Sequence, residues 1–143
     1  MNKPPIVEWV VMDAKDQVLG RFCTAVAVSL LGKDRIFSHR PDLLLERHVV
    51  VVNATQIHVS GNKVEAKQYI RHSGYPGGLK VTSFKKMQAE KPEEIIVHAV
   101  RGMIPHNRYG HKVMTRLHVY TGERHPHPVK SEILSGVEGK VTT

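Results

Sequence analysis

Four consecutive valines, Val49 to Val52, constrain this chain more than any other feature. A strand half exposed to water alternates apolar and polar residues, whereas an unbroken β-branched run puts apolar side chains on both faces of a sheet and needs cover over each. Trp9–Met12 (WVVM) has the same character. Ile57–Val59 (IHV) and Leu117–Tyr120 (LHVY) are further short runs bounded by turn residues, so all four segments are read as strands. Between the first two lies LGRFCTAVAVSLLGK, where apolar side chains cover most of a helix from Arg21 to Leu31 and Gly32 stands where a C-terminal cap belongs. That helix is the candidate crossover from the first strand to the second.

The second half repeats the alternation less cleanly. TSFKKMQAEKPEEIIVHAVRGM predicts two helices separated at Pro92, a residue tolerated in a first turn, with Glu93 and Glu94 at the positive end of the second helix. Ile95, Ile96, Ala99, Val100 and Met103 share one helical face, expected in the core. A short helix from about Tyr109 to Arg116 leads into LHVY. Beyond Gly122, periodicity is lost, and Pro126, Pro128, Gly136 and Gly139 predict an extended segment. With no internal repeat, the chain is read as a single α/β domain over 1–122 followed by a basic, extended C-terminal tail over 123–143.

Charge narrows the partner. Across 143 residues, 21 Lys and Arg stand against 13 Asp and Glu, a formal net charge of +8. That balance repels itself and attracts polyanions, so nucleic acid or an anionic membrane is expected. No apolar run approaches the roughly 20 residues that cross a bilayer, and the opening MNKPPIVEWVV lacks a secretory layout. The lone Cys23 excludes an internal disulfide and a cysteine-based zinc site, and its apolar helix predicts a buried, inert thiol.

The cations fall into clusters. Val100 to His127 holds five Arg or Lys and five His against Glu123 alone. Within it Arg108, Lys112 and Arg116 are four apart, a cationic stripe on a helix, with Arg101, His106, Asn107 and His111 around them. Like charges at that spacing cost an isolated helix a few tenths of a kcal/mol per pair. A polyanion that offsets them is favoured over a merely solvated face. In YIRHSGYPGGLK, Arg71, His72, Tyr75 and Lys80 flank glycines that admit a phosphate, and the tyrosine ring can stack on an unpaired base. The same glycines also serve an ordinary turn at Pro76–Gly77, and the two roles are compatible. Lys33, Arg35, His39 and Arg40 follow the first helix; Lys33 suits the negative end of its dipole as well as it suits RNA. Arg124, His125 and His127 extend the positive character past Gly122.

Catalytic motifs fail on inspection. Gly32–Lys33 resembles the end of a phosphate-binding P-loop, but Ala27 replaces its first glycine and Asp34 its Ser or Thr. No GxGxxG follows the first strand. Gly74 and Gly77 match a KH-type GxxG only weakly, with Pro76 between them. His125 and His127 lack further ligands at a recognised spacing, so metal binding ranks low, and no cofactor is expected. The rivals are a nucleotide-binding α/β enzyme and a regulatory RNA- or membrane-surface module.

VRGMIPHNRYGHKVMTRLHVYTG resembles the signature of the bacterial-type ribosomal protein L13 family, and WVVMDAKDQVLGR, LLGKDR, VVVVNATQIHVSGNK and RHSGYPGGLK stand in that family's order over about Trp9 to His127. The resemblance implies a three-layer α/β/α fold around a central four-stranded, mainly parallel sheet. It further implies no enzymatic activity, binding to large-subunit rRNA early in subunit assembly, neighbouring large-subunit proteins as partners, and neither membrane nor small-molecule substrate. The chain departs from the family pattern at SHRPDLLLERHVVVV, at Phe22–Cys23, at His106–Asn107 and throughout VKSEILSGVEGKVTT. Those departures point to a diverged lineage and leave a bacterial and an organellar ribosome (mitochondrial matrix or plastid stroma) both open.

Overall fold

The computed structural model describes residues 6–34, 45–127 and 133–135. In chain order the elements are β1 (Ile6–Asp13), α1 (Leu19–Leu31), β2 (Leu45–Val52), α2 (Lys63–Ala66), β3 (Gln68–His72), β4 (Leu79–Ser83), α3 (Phe84–Glu90), α4 (Pro92–Met103), α5 (Arg108–Met114) and β5 (Leu117–Val119). A parallel sheet of three strands, ordered β5-β2-β1, forms the centre; β1 and β2 align Val10 with Val49 and Val11 with Val50, and β2 meets β5 at Val49 with Leu117. At its other edge β1 pairs in parallel, Val11 to Asp13, with Ile133–Ser135. β3 and β4 form a separate antiparallel ribbon.

The valine run does what its composition demands. Val49 and Val51 face one side, where α1 contributes Phe22, Cys23 and Val26, α3 Phe84, α4 Ile95, Ile96 and Val100, and α5 Val113. Val50 and Val52 face the other with Val11, Trp9 and Tyr120. Each large side chain so buried contributes about 1.5–3 kcal/mol relative to leaving it in water. α1 ends as its sequence predicts: Gly32 takes φ 68°, and the amides of Gly32 and Lys33 donate to the carbonyls of Ser29 and Val28.

On the helical side one charge is buried on purpose. Arg47 of β2, 4% exposed, donates to Glu8 of β1 at 2.9 Å, to Asp34 at 2.6 Å, and to the carbonyl and hydroxyl of Ser29 at 3.3 Å each. Desolvation works against its charge, but the hydrogen bonds to Asp34 and Glu8 overcome it and hold the guanidinium protonated beyond its ordinary range. The network ties α1 to the first strand pair.

Several expectations need correction. Ile57–Val59 is not a strand: it makes a single bridge, His58 with Val18, after a 3₁₀ turn at Ala54–Gln56. His58 alone pairs, with Val18, while Ile57 drops into the core. Met103 shares the helical face of Ile96 and Val100 but is 41% exposed, because it lies in the last turn of α4. The last short helix ends at Met114, so Arg116 lies outside it and ion-pairs with Glu46 at 3.2 Å. Arg108 and Lys112 therefore share α5 without their third member. Among the described residues, every helix that buries side chains does so on the same face of the sheet; the opposite face carries rings instead.

Candidate nucleic-acid interface

The ribbon holds the first group of cations. Gly74 and Gly77 take φ 89° and 73°, which glycine alone adopts cheaply, and the Gly74 amide donates to His72 Nδ1 at 2.9 Å. The turn so formed aligns Arg71 directly opposite Lys80. Like charges facing each other across a ribbon destabilise it. Both are exposed, and neither has an acidic partner among the described residues. Tyr75 at the tip is 77% exposed, its ring free to stack, while Ile70, Leu79 and Val81 line one side of the ribbon in water.

The corner between α4 and α5 holds the second group. Asn107 caps α5, its side-chain oxygen accepting from the Gly110 amide at 2.8 Å. Gly110 is needed there, since a Cβ would fall on the carbonyl oxygen of Pro105. This tight corner leaves Arg101, His106, Arg108, His111 and Lys112 exposed around it, and the first turn of α5 contains no acid. Lys33 is exposed past the cap of α1. Arg35, His39 and Arg40 lie outside the described residues. Arg116 sits apart from these groups, half-buried against Glu46.

The tail does something the sequence did not disclose. Trp9 stacks on His48 (ring centroids 4.3 Å apart) and on His127 (4.7 Å); His118 lies 4.4 Å from His127, and Tyr120 OH lies 2.8 Å from His127 Nε2. His125 is half-buried next to this layer. Burial pushes the His48 and His118 imidazoles below their ordinary range, helped by Arg116 for His48 and by His127 for His118. These rings pack closely, and no group of three His, Cys, Asp or Glu among the described residues is arranged to hold a metal. His127 is thus committed to the sheet, and Arg124 alone of the tail cluster is exposed. Over 123–143, Arg124, Lys130 and Lys140 are matched by Glu123, Glu132 and Glu138, so the expected basic character rests on imidazoles rather than on formal charge.

The carboxyl end of the sheet is closed. Asn53, left-handed at φ 58°, donates to Asp13 at 2.9 Å, and the amides of Ala14, Asn53 and Ala54 donate to the carbonyls of Val52, Gly122 and Tyr120. A nucleotide enzyme of this class would keep its phosphate loop there. Cys23 is fully buried and its thiol is pushed up to about 12, so it is no nucleophile. The groups that sequence reasoning missed are Arg21, Lys63 and Lys67, which the packing of α1 against α4 gathers around one cleft. Their separation in sequence gave no cue.

Fold and charge together define a class: a small parallel α/β scaffold, closed where enzymes of similar build open, with cations held on a ribbon, a helix corner and a helix exit. Residues 7–126 match the family described as Ribosomal protein L13. The large ribosomal subunit protein uL13 of Nitratidesulfovibrio vulgaris is 47% identical over 124 residues, covering 84% of this chain and 83% of that protein. Those of Herpetosiphon aurantiacus and Microcystis aeruginosa are each 45% identical, covering 92% and 94% of this chain and 91% and 94% of their own lengths. The chain belongs to the ribosomal protein L13 family.

Proposed function

We propose that this protein is a structural constituent of the large ribosomal subunit that binds large-subunit rRNA and supports early subunit assembly and translation, with no enzymatic activity. Family membership supports this reading, and one feature of the fold carries it to specific residues: Arg71 opposite Lys80, a like-charge pair that the isolated ribbon gains nothing from and that a phosphate between them would stabilise. Arg101, Arg108, Lys112 and Arg124 are the other primary contacts, since exposed guanidinium groups grip phosphate in two places and stack on bases while the lysine ammonium adds a point charge. Lys33, Arg35, His39, Arg40, His72, Tyr75, His106, Asn107 and His111 complete the surface, with His125 and His127 acting by seating the tail and Arg116 by bracing β5.

In the same reading Ile133–Ser135 is the fourth strand of the central sheet, 1–122 is the domain proper and 123–143 is the C-terminal tail. Neighbouring large-subunit proteins share the site. The curated relatives named above are bacterial, which favours a ribosome of the bacterial cytoplasm over an organellar one.

The test is equilibrium binding of the full-length protein to deproteinised large-subunit rRNA at several salt concentrations. Arg71→Gln with Lys80→Gln removes the contacts to the phosphate the pair shares, so the slope of log affinity against log salt should flatten by roughly 0.7–0.9. An unchanged slope and affinity would remove the ribbon from the interface. Cosedimentation with large subunits in high salt tests the wider reading, which fails if the protein stays in the upper fractions.

A further inference from the structure

A cleft of about 520 Å³ opens between the start of α1, residues 59–63, α2 and the last turns of α4. Its apolar wall is Val59, Ala99 and Met103, and its cations are Arg21, Lys63 and Lys67; no acidic residue lines it. Arg21 and Lys63 are exposed and have no ion pair among the described residues. The walls are held in place by backbone: the Leu19 amide donates to the His58 carbonyl at 2.8 Å and the His58 amide to Gln17 at 2.9 Å.

Gly20, in the first turn of α1, also lines the cleft. A glycine inside a helix is destabilising and normally answers a need of the fold. Here no such need exists, because its φ is not positive and a Cβ would meet nothing within 4 Å. A methyl group would fit there without closing the cleft, whereas a bulky side chain would project into it.

Cations at the rim, a flat apolar wall containing a polarisable thioether, and room on the scale of a small ligand together match one nucleotide. It must be unpaired, since a base held in a duplex has no free face to offer. We propose that this cleft receives a single unpaired nucleotide of the large-subunit rRNA, its phosphate on Arg21 and Lys63 and its base against Val59 and Met103. The inference rests on the rRNA-binding reading above and adds a site remote in sequence from the ribbon and the corner.

Full-length variants are titrated with deproteinised large-subunit rRNA. Gly20→Trp fills the cleft from a position where the fold has space, and should weaken binding about tenfold or more, the scale of one lost base stack. Gly20→Ala should bind as the parent does. Arg21→Gln with Lys63→Gln, both on exposed side chains, should weaken binding and flatten the salt slope with no change in melting. If Gly20→Trp and the double variant both bind like the parent, the cleft inference is wrong while the wider reading stands; if the parent itself ignores rRNA, both fall together. A photoreactive residue at position 63 in assembled subunits should crosslink to rRNA, and a crosslink to protein would give the cleft to a protein neighbour and overturn the proposal.

Discussion

Removing the guanidinium of Arg47 is the sharpest test of how this fold is held together. Its side chain is 5% exposed, against 30% for Glu8 and 44% for Asp34. Breaking a fully buried pair costs about 3–5 kcal/mol, chiefly because the abandoned partner stays desolvated. Here both carboxylates reach solvent and can rehydrate, so Arg47→Ala is expected to cost less, about 2–3 kcal/mol, including the lost packing of the stem against α1. For 143 residues the unfolding entropy is about 0.3 kcal/mol per degree, which converts that loss to a fall in melting temperature of about 7–10 °C. Arg47→Met keeps the stem and discards the charge, so the part of the loss that it retains measures what the guanidinium contributes beyond packing. The measurement is thermal unfolding followed by circular dichroism or calorimetry. An Arg47→Ala melting point within 2 °C of the parent would refute the reasoning, since it would mean that the guanidinium is neither desolvated nor engaged.

Three other outcomes follow from the geometry. Gly110→Ala drives a methyl group into the Pro105 carbonyl and should destabilise by about 1–3 kcal/mol, read as a lower denaturant midpoint. Cys23, fully buried with its thiol near 12, should resist a thiol reagent in the native protein and react fully once unfolded. For the ring layer, His48 and His118 are held below their unfolded range, so the unfolded chain binds protons more readily: their contribution is intact above about pH 6.5 and is lost as pH falls from there through the folded values. Denaturant midpoints should therefore decline between pH 7.5 and 5.5, and less so in His48→Phe with His118→Phe, with Glu46, Arg116 and His127 facing the pair unchanged.

Where burial and periodicity coincide, the sequence was legible. The valine run, the α1 crossover with its Gly32 cap, the break at Pro92 and the Ile95–Ile96–Val100 face all lie where pattern placed them, because each is dictated by which side chains water rejects. What escaped was governed by pairing across long separations. The β3–β4 ribbon carries Ile70, Leu79 and Val81 in water, so no half-buried alternation marked it. The ring layer depends on His48, His118 and His127 meeting Trp9, and nothing local to any of these residues announces the others. Arg116 looked like a third member of a stripe because helical spacing continues to it, yet a helix that stops at Met114 hands it to Glu46 instead.

That last exchange separates the cations into two populations. Arg47, Lys85, Lys86, Lys91 and Arg116 each meet a carboxylate, on β2, α3, at the start of α4 and next to β5, and serve the fold. Arg21, Lys33, Lys63, Arg71, Lys80, Arg101, Arg108, Lys112 and Arg124 meet none among the described residues, and Arg71 and Lys80 are set against each other. A surface shaped only for solubility would intersperse its signs. Here Glu8, Asp34, Glu46, Glu65, Glu90 and Glu94 meet the first population, and the second has no carboxylate within ion-pair distance among the described residues. It follows that replacing members of the second population by glutamine should leave the free protein as stable or make it more so, while weakening its hold on RNA. Substitutions in the first should do the reverse, and that opposition in sign distinguishes a binding surface from a solvated one.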